Sequence, residues 1–381
     1  MSPDLPTLIG TGLTASAAVY ALLALLAVLR AARPAAAPPG DSAAVTVLKP
    51  LCGAEPRLYE NLRSFCLQQG VDYQLLFGVR DAQDPAVAVV RRLQAEFPRR
   101  DIGLVADPRS HGRNLKVGNL LNMFPHARHD RLVLSDSDIE VPPDYLARVA
   151  APLADPGVGI VTCLYFGRPV GGFWSRLGAQ FIDDWFAPSV RLAHLLGSRR
   201  FAFGSTIAVR RDTLAAAGGL EALRDLLADD FWLGELTRRL GLRTVLSEVT
   251  VRTDVVEASL AELWAHELRW LRTIRSIETI GFALTFPAFT FPVLAAGLLL
   301  ARSELCAALA AAGAAARLVL HYAQRKANSE SCLPGGLALT IPRDFLLFAE
   351  WAAALAGWQV RWRGQTLDAA GAARPEPRPG P

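Results

Sequence analysis

The sequence predicts an α/β domain built on a mostly parallel sheet, set between an N-terminal transmembrane helix and a C-terminal membrane region. Three observations carry this expectation. Short apolar runs alternate with helix-patterned stretches through the middle of the chain, a long uncharged apolar stretch precedes them, and further apolar stretches follow.

The first apolar stretch, residues 8–29, contains no charged side chain. At about 1.5 Å per residue it is long enough to cross a hydrocarbon layer of about 30 Å. The residues before it hold no basic group, whereas Arg30 and Arg33 follow it, which speaks for an anchor over a cleaved signal peptide. The positive-inside bias then puts the N-terminus outside and the chain after Arg30 in the cytoplasm, with residues 1–30 as the anchor. Residues 31–43, with Pro34, Pro38 and Pro39, form a short stiff linker.

Residues 44–279 form the soluble domain. Within it, runs 45–48, 74–79, 102–106, 132–134 and 159–162 read as strands, and stretches 56–69 and 85–97 read as helices between the first three. Strand and helix in alternation imply a mostly parallel sheet covered by helices, and such sheets bind ligands beyond the carboxyl ends of their strands. Polar groups follow four of these runs: Lys49, then Arg80 and Asp81, then Asp107, then Asp136 and Asp138. Residues 260–279 close the domain as an interfacial helix. Beyond it, 282–301 and 305–322 are further spanning candidates, and Arg325 and Lys326 return the chain to the cytoplasm. Residues 345–358 are apolar but short and are expected along the interface. The membrane region ends near 360, residues 361–381 form a tail, and the part after Asp368 reads as disordered.

Composition narrows the function. The chain has 381 residues, 51% of them hydrophobic, and the net charge of +4 is spread without a basic stripe, which excludes a nucleic-acid partner. Mean hydropathy is +0.24, high for a purely soluble protein. The 5 cysteines form no C-x-x-C pair, and an odd count argues against a disulfide framework and for a reducing compartment. Neither a phosphate-binding P-loop nor a G-x-G-x-x-G fingerprint is present, so a diphosphate ligand needs another counter-charge. Asp136 and Asp138, one residue apart where a strand ends, offer it through a divalent cation held by one or two carboxylates. Lys49, Lys116 and Lys326 are the only lysines in a chain rich in arginine. Lysine is a compact point charge suited to a phosphate or a carboxylate pair, which singles out Lys49 and Lys116.

Six segments in order carry a resemblance: Leu48-Lys-Pro-Leu-Cys-Gly53, Val79-Arg-Asp-Ala-Gln-Asp-Pro85, Asn114-Leu-Lys-Val-Gly-Asn-Leu120, Asp136-Ser-Asp138, Ala228-Asp-Asp-Phe231 and Arg269-Trp270. Between membrane segments, they resemble the GT-A glycosyltransferases of processive type, and more closely the ceramide glucosyltransferase family (family 21 type), from residue 45 to about 362. The stretches 204–211 and 266–275 look more like its hopanoid-associated branch. The resemblance implies a Rossmann-like GT-A fold and inverting transfer of N-acetylglucosamine or glucose from a UDP-sugar to a membrane lipid hydroxyl. A hopanoid polyol such as bacteriohopanetetrol is the acceptor it suggests first, with ceramide as the alternative. A polysaccharide synthase is a more distant reading, for which further spanning helices are expected; a non-catalytic sugar-nucleotide-binding membrane protein is another.

By the same resemblance Asp81 contacts the uridine, and Asp136 and Asp138 bridge Mg²⁺ or Mn²⁺ to the diphosphate. Lys49 and Lys116 fall in donor-binding segments. Asp230 corresponds to the general base, with Asp229 the competitor for that role; the family's acidic-Asp-aromatic pattern names the second acid. His266, Arg269 and Trp270 resemble the Q/R-x-x-R-W signature near acceptor and diphosphate, with His at the first position where the family has Gln or Arg. Positions three apart share a helix face, so His266 and Arg269 can act together. The location implied is a multi-pass membrane protein with a cytoplasmic catalytic domain, in the inner membrane of a bacterium if the source is bacterial.

Overall fold

The computed structural model describes residues 4–31, 43–327, 336–362 and 365–368. Pro34, Pro38 and Pro39 of the expected linker, Cys332 and the expected tail beyond Asp368 lie outside the described residues. The chain forms two compact units, one of residues 35–165, 199–254 and 371–381, the other of residues 1–34, 166–198 and 255–370.

In the first unit an eight-stranded sheet has the order β3-β2-β1-β4-β7-β6-β8-β5. The strands are β1 (Val45–Pro50), β2 (Tyr73–Val79), β3 (Asp101–Ala106), β4 (Arg131–Leu134), β5 (Ile139–Glu140), β6 (Val158–Pro169), β7 (Ile207–Arg210) and β8 (Arg243–Val255). The five strand runs read from the sequence are all present. Strands β3, β2, β1 and β4 pair in parallel, with Val47 opposite both Leu75 and Val133. Strand β7 pairs antiparallel with β4 and β6, and β5 antiparallel with β8. The sheet is therefore mixed, parallel only in its first half.

Parallel strands buried on both faces read as continuous apolar runs, and all seven residues of β2 are buried. Helices α2 (Leu58–Cys66), α3 (Ala86–Glu96) and α4 (Leu115–Met123) connect these strands, and α5 (Tyr145–Ala150) lies between β5 and β6. Leu58, Leu62 and Phe65 of α2 enter the core with Val90 and Leu93 of α3, and Tyr145 packs edge-on to Phe65 at 5.6 Å.

The second unit holds α1 (Leu5–Ala31), α6 (Phe173–Phe181), α7 (Ala187–Leu195), α10 (Leu260–Ile277), α11 (Thr279–Ala283), α12 (Thr290–Leu300), α13 (Glu304–Ala327) and α14 (Gly336–Ala354); α8 (Arg211–Ala216) and α9 (Asp229–Arg239) belong to the first. Strands β9 (Gln359–Trp362) and β10 (Gln365–Asp368), which reach into the expected tail, pair antiparallel. Among the described residues, α1 and α13 are long and apolar enough to cross a membrane; segments 279–288 and 290–300 together form a third candidate, bent by 75°. This unit is packed inside out. Gly10, Thr14, Ala17, Ala18, Ala21 and Ala24 of α1 are buried, while Leu8, Leu22 and Leu29 are half-exposed. Small residues let helix backbones approach, and large apolar ones face lipid.

Thr14 meets Cys306 at 3.1 Å, Ala18 meets Gly313, and Val28 clusters with Leu320, so α1 and α13 run parallel. Gly10 lies against Gly297 and Ala17 against Val293, so α12 runs the other way. Arg30 therefore ends its span on the same side as Arg325 and Lys326 end theirs.

A Cβ on Gly297 would lie 2.1 Å from Thr14 Oγ1 and 2.7 Å from the Gly10 carbonyl. Gly297→Val is expected to cost about 1–3 kcal/mol by overpacking, read as a lower melting temperature in detergent. An unchanged melt would mean that α1 and α12 do not approach at this point.

Candidate active site

Sequence and backbone place a set of charged groups at the carboxyl ends of the parallel strands. Strand β4 ends at Leu134, and the following Ser135-Asp136-Ser137-Asp138 loop leads into β5. Asp138 is pinned on its far side: its Oδ2 accepts from Thr253 Oγ1, and its carbonyl accepts from Asp254 N at 3.2 Å. Ser137 Oγ donates to Glu55 Oε1 at 3.1 Å. Burial raises the pKa of Asp138 to about 7, and the charges of Asp136 and Glu55 add to the rise. Asp138 thus lacks sufficient positive charge around it, which is the condition a divalent cation relieves. Among the described residues no three His, Cys, Asp or Glu side chains gather as a cage. Two carboxylates completed by substrate oxygens are the way magnesium is commonly held, so the residues fit such an ion.

Lys49, at the end of β1, differs from the other groups expected to bind the donor. It is fully buried, its Nζ lies 3.7 Å from the centre of the Phe65 ring, and it donates to the Asp136 carbonyl at 2.6 Å and Ser135 Oγ at 3.3 Å. Burial lowers its pKa to about 7 against the pull of Asp138 and Asp136. Its ammonium holds the loop from below.

Lys116 lies in the first turn of α4, which Asn114 caps by accepting from Lys116 N and Val117 N at 3.0 and 3.1 Å. Such a cap satisfies orphan donors of the helix start. The Asn114 amide also donates to the Leu226 carbonyl at 2.8 Å and to Asp229 Oδ1 at 3.1 Å, tying the start of α4 to the start of α9. Lys116 Nζ reaches Asp136 Oδ1 at 2.6 Å and Asp229 Oδ2 at 3.7 Å. Burial opposes its charge, but Asp136, Asp229 and Asp230 outweigh burial and raise its pKa.

Asp230 has a different environment from its neighbour. Its Oδ2 accepts from Gly204 N at 2.8 Å and its Oδ1 from Phe231 N at 2.7 Å. Burial and the adjacent Asp229 charge push its pKa up to about 6, although Lys116 opposes the rise. Asp229 is engaged by Asn114 and Lys116, whereas Asp230 is held by two backbone amides. A Cβ built on Gly204 would lie 2.8 Å from Lys116 Nζ, 2.9 Å from Asp136 Oδ2 and 3.6 Å from Asp230 Oδ2. Three functional side chains from three segments thus converge on one glycine, and the close approach excludes any side chain there.

Asp81 stands exposed just beyond β2, where its Oδ1 accepts from Gln83 N at 2.9 Å and its own side of the turn is open to a ligand. The neighbouring Asp84, not singled out from the sequence, accepts from Gly53 N with both oxygens at 3.0 Å and so joins two of the strand-end loops. Glu55, Asn114, Gly204 and Thr253 were also without an assigned role. Only Asn114 carries a local signal, a capping residue ahead of an apolar helix.

His266, Arg269 and Trp270 belong to the other unit, on α10, which Ser259 caps by accepting from Glu262 N at 3.2 Å. His266 Nδ1 bonds to Glu257, and the imidazole packs edge-on to Trp270 at 4.6 Å. Burial disfavours ionisation of Glu257, but the bond from His266 outweighs it and holds the carboxyl below its usual range.

The family model described as Glycosyl transferase family 21 matches residues 10–373. Ceramide glucosyltransferase 1 of Caenorhabditis elegans is 24% identical over 229 residues, 60% of this chain and 49% of that protein. Ceramide glucosyltransferase 3 of the same organism is 25% identical over 232 residues, 60% of this chain and 50% of that one. The chain thus matches about half the length of these relatives. A mannosyltransferase from Pyrobaculum calidifontis, solved with GDP-Man and Mn²⁺, shares the fold with a TM-score of 0.51 at 24% identity, covering 92% of this chain and 97% of its own.

The split between the two adjacent acids is directly measurable. An isotope-edited carboxyl titration is expected to place the Asp230 midpoint at about 6. In Asp229→Asn the midpoint moves down, because a negative neighbour has been removed. A midpoint that stays in place would show that burial alone sets it.

Proposed function

Since the chain belongs to glycosyl transferase family 21, we propose that this glycosyltransferase moves glucose from a UDP-sugar to a hydroxyl of ceramide, with inversion at the sugar. The observation that carries this reading is the convergence of Asp136, Lys116 and Asp230 on Gly204, with the Asp230 carboxyl raised to about 6. Relatives that are ceramide glucosyltransferases favour ceramide over the hopanoid polyol expected from stretches 204–211 and 266–275.

In this mechanism Asp81 takes the uridine, and Asp136 with Asp138 faces the diphosphate. A divalent cation, Mg²⁺ or Mn²⁺, held by those two carboxylates would supply Lewis-acid neutralisation of the leaving group. Lys116 adds a second positive charge on the same side, and Lys49 fixes the loop that carries both acids. Asp230 accepts the proton of the lipid hydroxyl as its oxygen bonds to the anomeric carbon. The bond from that carbon to the diphosphate breaks in the same displacement, and the electron pair leaves with UDP. Gly204 N–H and Phe231 N–H orient the Asp230 carboxylate for this transfer. His266, Arg269 and Trp270 serve the diphosphate and acceptor. The membrane helices keep the lipid tails in the bilayer, and the shared side of Arg30, Arg325 and Lys326 supports a cytoplasmic catalytic unit.

The experiment supplies membranes containing the protein with labelled UDP-glucose or UDP-N-acetylglucosamine, and with ceramide or a hopanoid polyol. Label from UDP-glucose in ceramide is the expected result. Label from UDP-N-acetylglucosamine in the polyol would select the other acceptor class, and no labelled lipid from folded protein with Mg²⁺ or Mn²⁺ overturns the enzymatic reading. Asp138→Asn is expected to weaken metal-dependent UDP binding about tenfold or more, while Asp230→Asn leaves it intact.

The base must be ionised, so kcat/KM is expected to fall as pH drops through about 6. Asp230→Asn is expected to lower transfer by roughly 10²–10⁴-fold, the usual contribution of a positioned base. A fully active variant would remove Asp230 from that role.

A further inference from the structure

Strand β8 contains none of the motif segments, yet it reaches one acid of the candidate cation site. Strands β5 and β8 pair with Ile139 opposite Thr253, and that register brings Thr253 beside Asp138, the residue before β5. The Thr253 hydroxyl donates to Asp138 Oδ2 at 2.5 Å, and Asp254 N donates to the Asp138 carbonyl at 3.2 Å. Thr253 is 8% exposed. The Asp254 carboxylate accepts from the Asn61 amide at 2.7 Å. The end of β8 thus holds Asp138 from a strand that is itself tied down.

Each of the two acids has one oxygen engaged and one open. Asp136 Oδ1 lies 2.6 Å from Lys116 Nζ, and Asp138 Oδ2 accepts from Thr253. Among the described residues no hydrogen-bond donor engages Asp136 Oδ2 or Asp138 Oδ1, and neither oxygen is a buried atom left without a partner. Both side chains are partly exposed, so the open oxygens can be reached from solvent.

The number of oxygens a carboxylate can offer decides which ion fits it. Calcium takes about six to eight oxygens in a flexible shell and readily accepts both oxygens of one carboxylate. Magnesium demands a near-ideal octahedron, and manganese suits the same oxygen donors. The two oxygens of one carboxylate lie too close together to fill adjacent corners of an octahedron. Single-oxygen contacts therefore suit the smaller ions and leave corners for diphosphate and water. A hydrogen bond to the second oxygen is what fixes a ligating carboxylate in that mode. We infer that Thr253 sets the ion selectivity of this site: by engaging Asp138 Oδ2 it limits that acid to one oxygen, so Mg²⁺ or Mn²⁺ is taken and Ca²⁺ is disfavoured. The inference rests on the reading that Asp136 and Asp138 hold the cation. Thr253 acts through Asp138 and is a positioning residue.

Metal binding to the full chain in detergent, with UDP present, tests it without any sugar transfer. Free Mn²⁺ is followed by electron paramagnetic resonance while Mg²⁺ or Ca²⁺ competes. Ca²⁺ is expected to displace Mn²⁺ about tenfold less well than Mg²⁺ does, the low end of what an outer-shell partner contributes. Thr253→Val keeps the side-chain volume and removes the hydroxyl, and is expected to close most of that gap. Thr253→Ser keeps the hydroxyl and the gap. Equal competition by Ca²⁺ and Mg²⁺ at the unaltered protein overturns the inference, and that comparison stands even if a variant fails to fold. Asp138→Asn separates the role of Thr253 from the reading beneath it. Unchanged Mn²⁺ binding in Asp138→Asn, or no binding by the unaltered protein, removes the cation site and the inference with it. Weakened binding in Asp138→Asn with an unchanged gap in Thr253→Val overturns the role of Thr253 alone.

Discussion

The catalytic unit depends on one ammonium, that of Lys116. Asp136, Asp229 and Asp230 crowd a single volume, and Lys116 lies 2.6 Å from the first and 3.7 Å from the second. Two unit charges about 4 Å apart interact by about 4 kcal/mol at an effective dielectric near 20. That attraction draws Asp136 and Asp229 toward one cation. It also divides the labour between two consecutive acids. Asp229 accepts from Asn114 and faces Lys116, whereas Asp230 is held by the backbone amides of Gly204 and Phe231. Paired titratable groups pushed apart by their surroundings take different roles, and the neighbour's charge is itself one cause of the Asp230 shift.

The parallel half of the sheet was legible because buried parallel strands leave unbroken apolar runs. The antiparallel half was not. Strand β7 is only four residues long, and β8 alternates buried with partly buried positions from Val249 to Val255 around polar residues, a pattern that gives a weak apolar signal. Acidic site residues could be found from local motifs, but Gly204 could not: its requirement arises from Lys116, Asp136 and Asp230, which arrive from three separate segments. Asn114 announces a cap, yet its second partner is 115 residues away. Lysine scarcity drew attention to both Lys49 and Lys116 without separating them. Burial separates them, since Lys49 is enclosed with Phe65 while Lys116 reaches the acids.

The membrane unit follows the opposite packing rule, and its spans were readable as lengths of apolar sequence. Its charges were not readable as partners. Arg343 and Asp344 made the segment from 345 look like a short interfacial piece, whereas α14 begins at Gly336 and continues through them. Arg343 bonds to Glu267 on α10 and Asp344 pairs with Arg317 on α13. A charged pair interrupts a helix only in the sequence; in the structure each member finds an opposite charge on another helix, which lifts the desolvation objection.

The same logic bears on His266, the position where the resemblance led one to expect Gln or Arg. A bare imidazole is a poor replacement for a group with several fixed donors, because it can turn and change tautomer. Here Glu257 engages Nδ1 and Trp270 packs edge-on against the ring, so the orientation is set by two neighbours. Nε2 is left as the ring's remaining polar atom on a partly exposed helix face. The substitution is thus accompanied by a buried carboxylate that restores direction to the side chain. His266 and the acid that supports it are parts of one arrangement, which the local sequence alone does not reveal.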